Sequence, residues 1–136
     1  MTQAQLTGTF QVTNWQETPY SESDNGAKQS LAVISQHYSG DIEGTSELRY
    51  LMSYQPDGTA QFVGFETFTG SIVGQAGSVV FQHQGQFIAG VASSNFTVVA
   101  GSGCDALAQL AGLGSFTSKE QGQAQYSFTL NESLGG

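Results

Sequence analysis

The sequence predicts an all-β protein, an eight-stranded antiparallel closed barrel that occupies residues 1–136 as a single domain. Apolar and polar residues alternate along most of the chain, which is typical of strands with one buried face. Glycine supplies 18 of the 136 residues, about twice its average usage of roughly 7%, as expected for many turns and bends. The alternating segments hold few charged residues that could protect an exposed edge strand, so a closed barrel is favoured over an open sandwich.

Seven alternating segments mark the expected strands, and an eighth strand is expected at residues 113–117. The seven segments are residues 7–13, 31–38, 48–54, 60–68, 79–83, 91–99 and 126–130. Pro56-Asp57-Gly58 combines a fixed φ angle with a glycine that tolerates a left-handed conformation, while Gly74-Gln75-Ala76-Gly77 and Gly85 mark two further reversals. Successive strands are therefore expected to be antiparallel neighbours.

Two segments interrupt the alternation. The segment from Thr18 to Gln29 is rich in Ser, Asn, Asp and Gly and is predicted to be a surface loop. Such a loop beside a barrel mouth could act as a lid, although an inert connection is the commoner outcome. Residues 104–113 place small and apolar side chains at helical spacing and run into Gly112, which predicts at most a short helical turn.

The charge balance argues against several classes of partner. Three basic residues and eleven acidic residues give a net charge of −8, which repels nucleic acids and anionic membrane surfaces. No segment approaches the roughly 20 consecutive apolar residues of a membrane-spanning helix. Residues 1–6 contain neither a basic stretch nor an apolar core, so no secretory signal is expected and a cytoplasmic location is predicted.

Turn geometry predicts one polar pair on the apolar face of the sheet. If Gln55 faces Thr59 across the first turn, Leu48 lies opposite Glu66. If Val73 faces Ala76 across the next turn, Glu66 lies directly opposite His83 and Phe68 opposite Phe81. Glu66 and His83 are therefore expected to point together into an aromatic interior, unless a bulge interrupts either hairpin.

This pair is the candidate for chemistry. A carboxylic acid enclosed by aromatic rings can give its proton to an adjacent imidazole, so Glu66 and His83 are the candidate catalytic residues for general acid and base work. They could equally hold a hydroxyl or carbonyl group of a ligand, or form a cross-strand hydrogen bond that only satisfies two buried polar groups. The candidate ligand-binding residues are Tyr50, Tyr54, Phe62, Glu66, Phe68, Phe81 and His83.

No metal site or cofactor is predicted. Two histidines on separate strands are too few for a transition-metal site. Asp41, Glu43 and Glu47 alternate on the opposite face together with Arg49, which is typical of a solvated face. The single cysteine, Cys104, is expected to be a small buried hydrophobe rather than a nucleophile, because its neighbours supply no cation to activate the thiol.

Short motifs recur along the chain in a distinctive order. They are Gly8-Thr9-Phe10, Trp15 with Glu17, Pro19-Tyr20, Tyr38 to Gly44, Tyr50-Leu51-Met52 with Tyr54, Phe62 to Glu66, and Phe81-Gln82-His83 with Gly85 and Phe87. Together they resemble the bacterial DUF3224 family nearly end to end. The segment from Gly101 to Gly114 is also similar to the glycine-rich turn of allene oxide cyclase and dirigent barrels. The resemblance implies an eight-stranded barrel of the allene oxide cyclase type, often oligomeric in relatives. It implies no activity and assigns no catalytic residue, and Cys104 departs from the family pattern.

Three functions fit these observations. The first is a barrel that binds a small, partly apolar molecule in its interior, with Glu66 and His83 orienting a polar group. The second is a cofactor-free isomerase or cyclase that uses the same two residues for proton transfer. The third is a structural, homo-oligomeric barrel whose interior is completely filled.

Overall fold

The computed structural model describes residues 4–120 and 123–130, and these form one antiparallel sheet of nine strands. The strands are β1 (Ala4–Glu22), β2 (Lys28–Gly40), β3 (Ile42–Tyr54), β4 (Ala60–Ile72), β5 (Gln75–Ile88), β6 (Val91–Val98), β7 (Cys104–Asp105), β8 (Gly112–Glu120) and β9 (Gln123–Leu130). The order around the sheet is β4-β3-β2-β1-β9-β8-β6-β5, and β5 pairs back onto β4. Eight strands therefore close into a barrel, which confirms the predicted fold class.

Strict alternation along the strands fills the barrel with apolar side chains. From Ile42 to Met52, every second residue of β3 is buried or half-buried, and the residues between them are exposed. The interior is rich in aromatic rings that contact one another edge to face or tilted, as in the pair Tyr38 and Phe68, whose centroids are 5.5 Å apart. No helix long and apolar enough to cross a membrane is found in the described residues.

Tyr126 closes one end of the barrel. Its hydroxyl accepts a hydrogen bond from the backbone N–H of Ile42 at 2.8 Å. The ring reaches this position by passing over Gly8, where a Cβ atom would lie only 2.4 Å from the tyrosine hydroxyl and 2.3 Å from the carbonyl oxygen of Ser39. Glycine at position 8 is therefore required by the close approach of the strands at this end.

The prediction of a surface loop from Thr18 to Gln29 is wrong. β1 continues through Glu22 and β2 begins at Lys28, so only residues 23–27 connect them. The connection is closed by a hydrogen bond from the Ser23 N–H to the Ala27 carbonyl at 2.8 Å. The alternation fails here because both faces of the strands are largely exposed at the barrel rim, where polar residues and Pro19 are tolerated.

The predicted helical turn in residues 104–113 is replaced by a two-residue strand and tight turns. β7 pairs with Gly77 and Ser78 of β5, beyond the end of β6. Asp105 has a φ angle of 57°, which breaks a right-handed helix at its first turn. The apolar residues of this segment pack against the barrel instead, where Leu107 and Leu110 are buried.

The register prediction is correct for the first hairpin and wrong for the second. Leu48 lies opposite Glu66, as expected. Val73 and Gly74 form the second turn, with φ angles of 49° and 78°, so Glu66 lies opposite Phe81 instead of His83. Moving a turn by one residue shifts every cross-strand partner by two, which preserves the side of the sheet on which each residue lies. Glu66 and His83 therefore still share the barrel interior.

Gly85 does not mark a reversal, since it lies within β5. A Cβ atom there would lie 2.3 Å from the Ser93 carbonyl oxygen and 2.5 Å from the ring of Phe62. Glycine at this position gives room for the Phe62 ring inside the barrel. The glycine at position 85 therefore indicates close packing rather than a turn.

β1 is longer than its pairing with β9. It pairs with β9 over Ala4–Gln11 and with β2 over Gly8–Glu22, with register shifts between Val12 and Asn14 and between Pro19 and Ser21. From Val12 to Glu22, β1 therefore pairs with β2 but not with β9.

Replacing Val73 with asparagine should stabilise the protein. A β-branched residue at positive φ is strained, and Asn-Gly is the preferred sequence for this turn, so we expect a gain of about 1 kcal/mol. Thermal unfolding should then move up by about 3 to 5 °C. Val63 is a matched control because it is a similarly exposed valine within β4, where asparagine is unfavourable. Equal effects of Val73→Asn and Val63→Asn would contradict the turn assignment.

Candidate functional site

A chain of four polar side chains crosses the filled part of the barrel. The Tyr38 hydroxyl donates a hydrogen bond to Glu66 Oε2 at 2.5 Å. Glu66 Oε1 lies 2.6 Å from His83 Nε2, and His83 Nδ1 lies 3.0 Å from Ser94 Oγ. All four residues are buried, with Glu66 completely so. Side chains from β2, β4, β5 and β6 thus meet in an apolar interior, where each polar atom needs a partner.

Gly64 makes room for this arrangement. It faces Tyr50 on β3 and His83 on β5. With no side chain between them, the rings of Tyr50 and His83 meet at a centroid distance of 5.4 Å. Glu66, two residues further along β4, then lies beside His83 diagonally rather than directly opposite.

The geometry requires a proton between Glu66 and His83. His83 Nδ1 forms a hydrogen bond with the Ser94 hydroxyl, which also lies 3.2 Å from the Asn95 carbonyl oxygen. The 2.6 Å contact between Nε2 and Oε1 needs a proton of its own, since two bare acceptors would repel. The pair can therefore hold or share a proton in a region without solvent.

The two tyrosines beside this pair remain protonated. Burial, together with the charge and hydrogen bond of Glu66, raises the pKa of Tyr38 far above its ordinary value. Burial and the charge of Glu66 do the same for the pKa of Tyr50. Both hydroxyls therefore keep their protons at neutral pH, and that of Tyr38 is donated to Glu66.

Above the polar chain, the open end of the barrel encloses a cavity of about 410 Å³. Seven aromatic side chains line it, namely Phe10, Trp15, Tyr50, Tyr54, Phe62, Phe87 and Phe116. Val12, Ile34, Met52 and Ala92 add aliphatic surface. A volume of this size and an apolar lining are typical of small-molecule sites.

Two side chains that line the cavity carry buried polar atoms without a partner. Tyr50 OH and Gln36 Oε1 make no hydrogen bond within the described part of the chain. An unsatisfied buried polar atom costs about 1 to 3 kcal/mol, so few are tolerated without a reason. Neither atom is exposed at the cavity surface.

Glu17 is the charged residue of the cavity wall. Its Oε2 accepts hydrogen bonds from the hydroxyls of Ser30 and of Tyr54, the latter at 2.7 Å. Its Oε1 accepts from the indole N–H of Trp15 at 3.1 Å. The carboxylate thus fixes two aromatic residues of the mouth.

This environment keeps Glu17 ionised. Partial burial alone would raise the pKa of Glu17, but the hydrogen bonds from Ser30, Tyr54 and Trp15 and the charge of Lys28 together lower it. Burial and the hydrogen bond and charge of Glu17 in turn raise the pKa of Tyr54 well above its ordinary value. The mouth therefore carries a negative charge at neutral pH.

The seven predicted ligand-binding residues divide into two groups. Tyr50, Tyr54 and Phe62 line the cavity. Glu66, Phe68, Phe81 and His83 are buried in the filled part of the barrel and do not line it. Their roles in binding or catalysis remain predictions.

Sequence reasoning missed four polar residues of the site, Glu17, Gln36, Tyr38 and Ser94. It also missed four of the aromatic residues that line the cavity, Phe10, Trp15, Phe87 and Phe116. Tyr38 lies within a predicted strand on the inward face, which was the available signal for its burial. Glu17 gave no signal, because the rim of β1 shows no clear alternation. Gln36 follows the inward alternation of β2, so a glutamine there is a detectable exception.

The remaining sequence candidates are placed as follows. No group of potential metal ligands is found within residues 4–120 and 123–130. Glu47 and Arg49 form an exposed ion pair at 3.0 Å, as expected for a solvated face. Cys104 is exposed, so its predicted burial is wrong. It belongs to the short β7, which pairs at the edge of β5 and contributes nothing to the interior at this position.

Comparisons with known proteins show the same fold and a shared family. Residues 6–130 match the family described as "Protein of unknown function (DUF3224)". A crystal structure of a protein with unknown function from the DUF3224 family of Shewanella oneidensis MR-1 superimposes with a TM-score of 0.78. The two sequences are 26% identical, and the alignment covers 97% of this chain and 99% of that chain. No curated protein matches the chain.

Removing the Tyr38 hydroxyl should destabilise the protein, whereas removing the Tyr50 hydroxyl should not. Tyr38→Phe leaves a buried carboxylate oxygen without its donor, which costs about 2 kcal/mol in the free energy of unfolding. Tyr50→Phe removes a buried hydroxyl that has no partner in the described residues, so stability should be unchanged or increased. Urea denaturation measures both, and equal losses would contradict the assigned hydrogen bonding.

Acidification should release Trp15 before the barrel unfolds. Because the pKa of Glu17 is lowered in the folded state, its stabilising effect is complete above the ordinary pKa of glutamate and is lost as pH falls through the lowered value. Trp15 is the single tryptophan, so its fluorescence reports this step. The midpoint should lie below the ordinary glutamate pKa while circular dichroism still shows a folded barrel. The transition should be absent in Glu17→Gln, and its persistence there would refute the assignment.

Proposed function

Because this chain belongs to the DUF3224 family of proteins of unknown function, we propose its function from the barrel itself: it binds a small, partly apolar molecule in the cavity at its open end. The observation that carries the proposal is a cavity of about 410 Å³ at the open end of the barrel, which the described residues line mostly with aromatic and aliphatic side chains. Rings and aliphatic groups supply most of the contact. Glu17 supplies a polar group at the mouth.

The polar chain below the cavity supports binding by fixing its floor. The Tyr50 ring lies between Phe62, on which it stacks at 4.6 Å, and His83, which it meets edge on at 5.4 Å. His83 is in turn held by Glu66 and Ser94. A ring restrained in this way loses little freedom when a ligand binds, which favours affinity.

A cofactor-free isomerase or cyclase is the second candidate. The proton-sharing contact between Glu66 and His83 favours it. Neither residue lines the cavity, so a substrate would meet Tyr50 instead. Since the raised pKa of Tyr50 makes it a hydrogen-bond donor and a poor base, binding is the better supported function.

The third hypothesis, a completely filled interior, fits the geometry less well. Tyr126 and the core rings fill one end, whereas the other end retains the cavity. We also propose that the protein is cytoplasmic and that it self-associates. Neither property depends on the cavity.

The proposal is tested with naphthylmethanol, a neutral probe with one apolar body and one hydroxyl group. Isothermal titration should show saturable binding at one site. Ala92→Phe places a ring in the cavity and should abolish this binding. Ser93→Phe is the matched control, because the neighbouring residue on β6 points to the outer wall and its change should leave affinity unaltered.

Two outcomes would contradict the proposal: no binding by the wild-type protein, or equal loss of binding in both variants. Native mass spectrometry of protein purified from its own host then identifies any retained molecule.

A further inference from the structure

The charges around the cavity restrict the class of molecule that it can hold. Glu17 supplies a negative charge to the wall, and no lysine or arginine is among the described residues that line the cavity. Exposed carboxylates lie at Glu22, the last residue of β1, and at Asp24 and Asp57 in the turns after β1 and β3. An anionic ligand would therefore lose its hydration without gaining a positive partner.

The Glu17 carboxylate has an acceptor site left for a ligand. Oε2 already accepts from Ser30 and Tyr54. Oε1 accepts only from Trp15 among the described residues, although a carboxylate oxygen can accept two hydrogen bonds. Trp15 is 47% exposed, so it covers this oxygen only from one side. The open position lies at the mouth, where a donor on a ligand can reach it.

The aromatic wall beside Glu17 also suits a positive charge. Ring faces attract ammonium groups because of the negative potential above the ring. The protein itself uses this attraction at the rim, where Lys28 Nζ lies 4.8 Å from the centroid of the Tyr54 ring. Lys28 does not line the cavity, but its charge offsets part of the field of Glu17.

We infer that the ligand is an apolar amine, whose ammonium group binds Glu17 at the mouth while its apolar body lies among the rings of the cavity. This inference rests on the proposed function and adds the charge of the ligand to it.

The test compares three probes that share one ring system and differ in charge: naphthylmethylamine, naphthylmethanol and naphthoate. Isothermal titration at neutral pH and low salt should give the highest affinity for the amine and the lowest for the carboxylate. One charge pair at a partly exposed site corresponds to about threefold to tenfold between amine and alcohol.

Charge variants separate Glu17 from the overall charge of the protein. Glu17→Gln should bring the ratio of amine affinity to naphthylmethanol affinity close to one. The ratio is compared rather than either affinity alone, because the substitution also changes the hydrogen bonds to Trp15 and Tyr54 in the cavity wall. Lys28→Gln should increase the preference, since it removes the competing charge. Glu43→Gln is the matched control: it makes the same charge change on β3 near the closed end of the barrel and should have no effect.

The outcomes distinguish this inference from the proposed function. If naphthylmethanol binds in the cavity and the amine binds no better, or naphthoate binds best, the inference is overturned and the proposed function stands. An amine preference that survives Glu17→Gln, or that Glu43→Gln removes equally, also overturns it. If none of the three probes binds, both fail.

Discussion

Closure of the sheet through the pairing of β4 with β5 is the constraint on which the rest of the structure depends. Once the ring is closed, every second residue of eight strands must lie inside a fixed volume. Large rings such as Phe68, Phe81 and Phe128 fill that volume at one end, where Gly112 makes room for the ring of Phe128. At the other end, the inward side chains do not fill the space between the strands. The cavity therefore results from unequal filling along the barrel axis.

In the buried polar chain, hydrogen bonds between side chains replace the hydration that a closed interior excludes. Glu66 is acceptable there because its two oxygens contact Tyr38 and His83, and His83 because its second nitrogen reaches Ser94. Such a network is costly when incomplete and specifies one arrangement of the strands when complete. It therefore joins β2, β4, β5 and β6 in a way that apolar packing alone would not, and it supports the tyrosine that forms part of the cavity wall.

The sequence predicted the fold and half of the site because both depend on alternation. Glu66 and His83 share a face whichever of two neighbouring turns is chosen, so their meeting was predictable although their exact register was not. The turn at Val73 was not predictable, since a valine at positive φ is contrary to its local preference. Glu17 and Gln36 could not be placed around one cavity, because that requires the tilt of the strands and the volume left by all other side chains.

The length of β1 has a consequence for association between molecules. Beyond Gln11 its pairing with β9 ends, so from Val12 to Glu22 the backbone groups on that side have no strand partner among the described residues. A barrel is usually free of such edges, and an open edge can template the addition of a strand from another chain. Pro19 lacks an N–H group, and the register shifts on either side of residues 14–19 interrupt the spacing of the hydrogen bonds. The same irregularities that bring Trp15 and Glu17 to the mouth thus protect the protein against edge-to-edge aggregation.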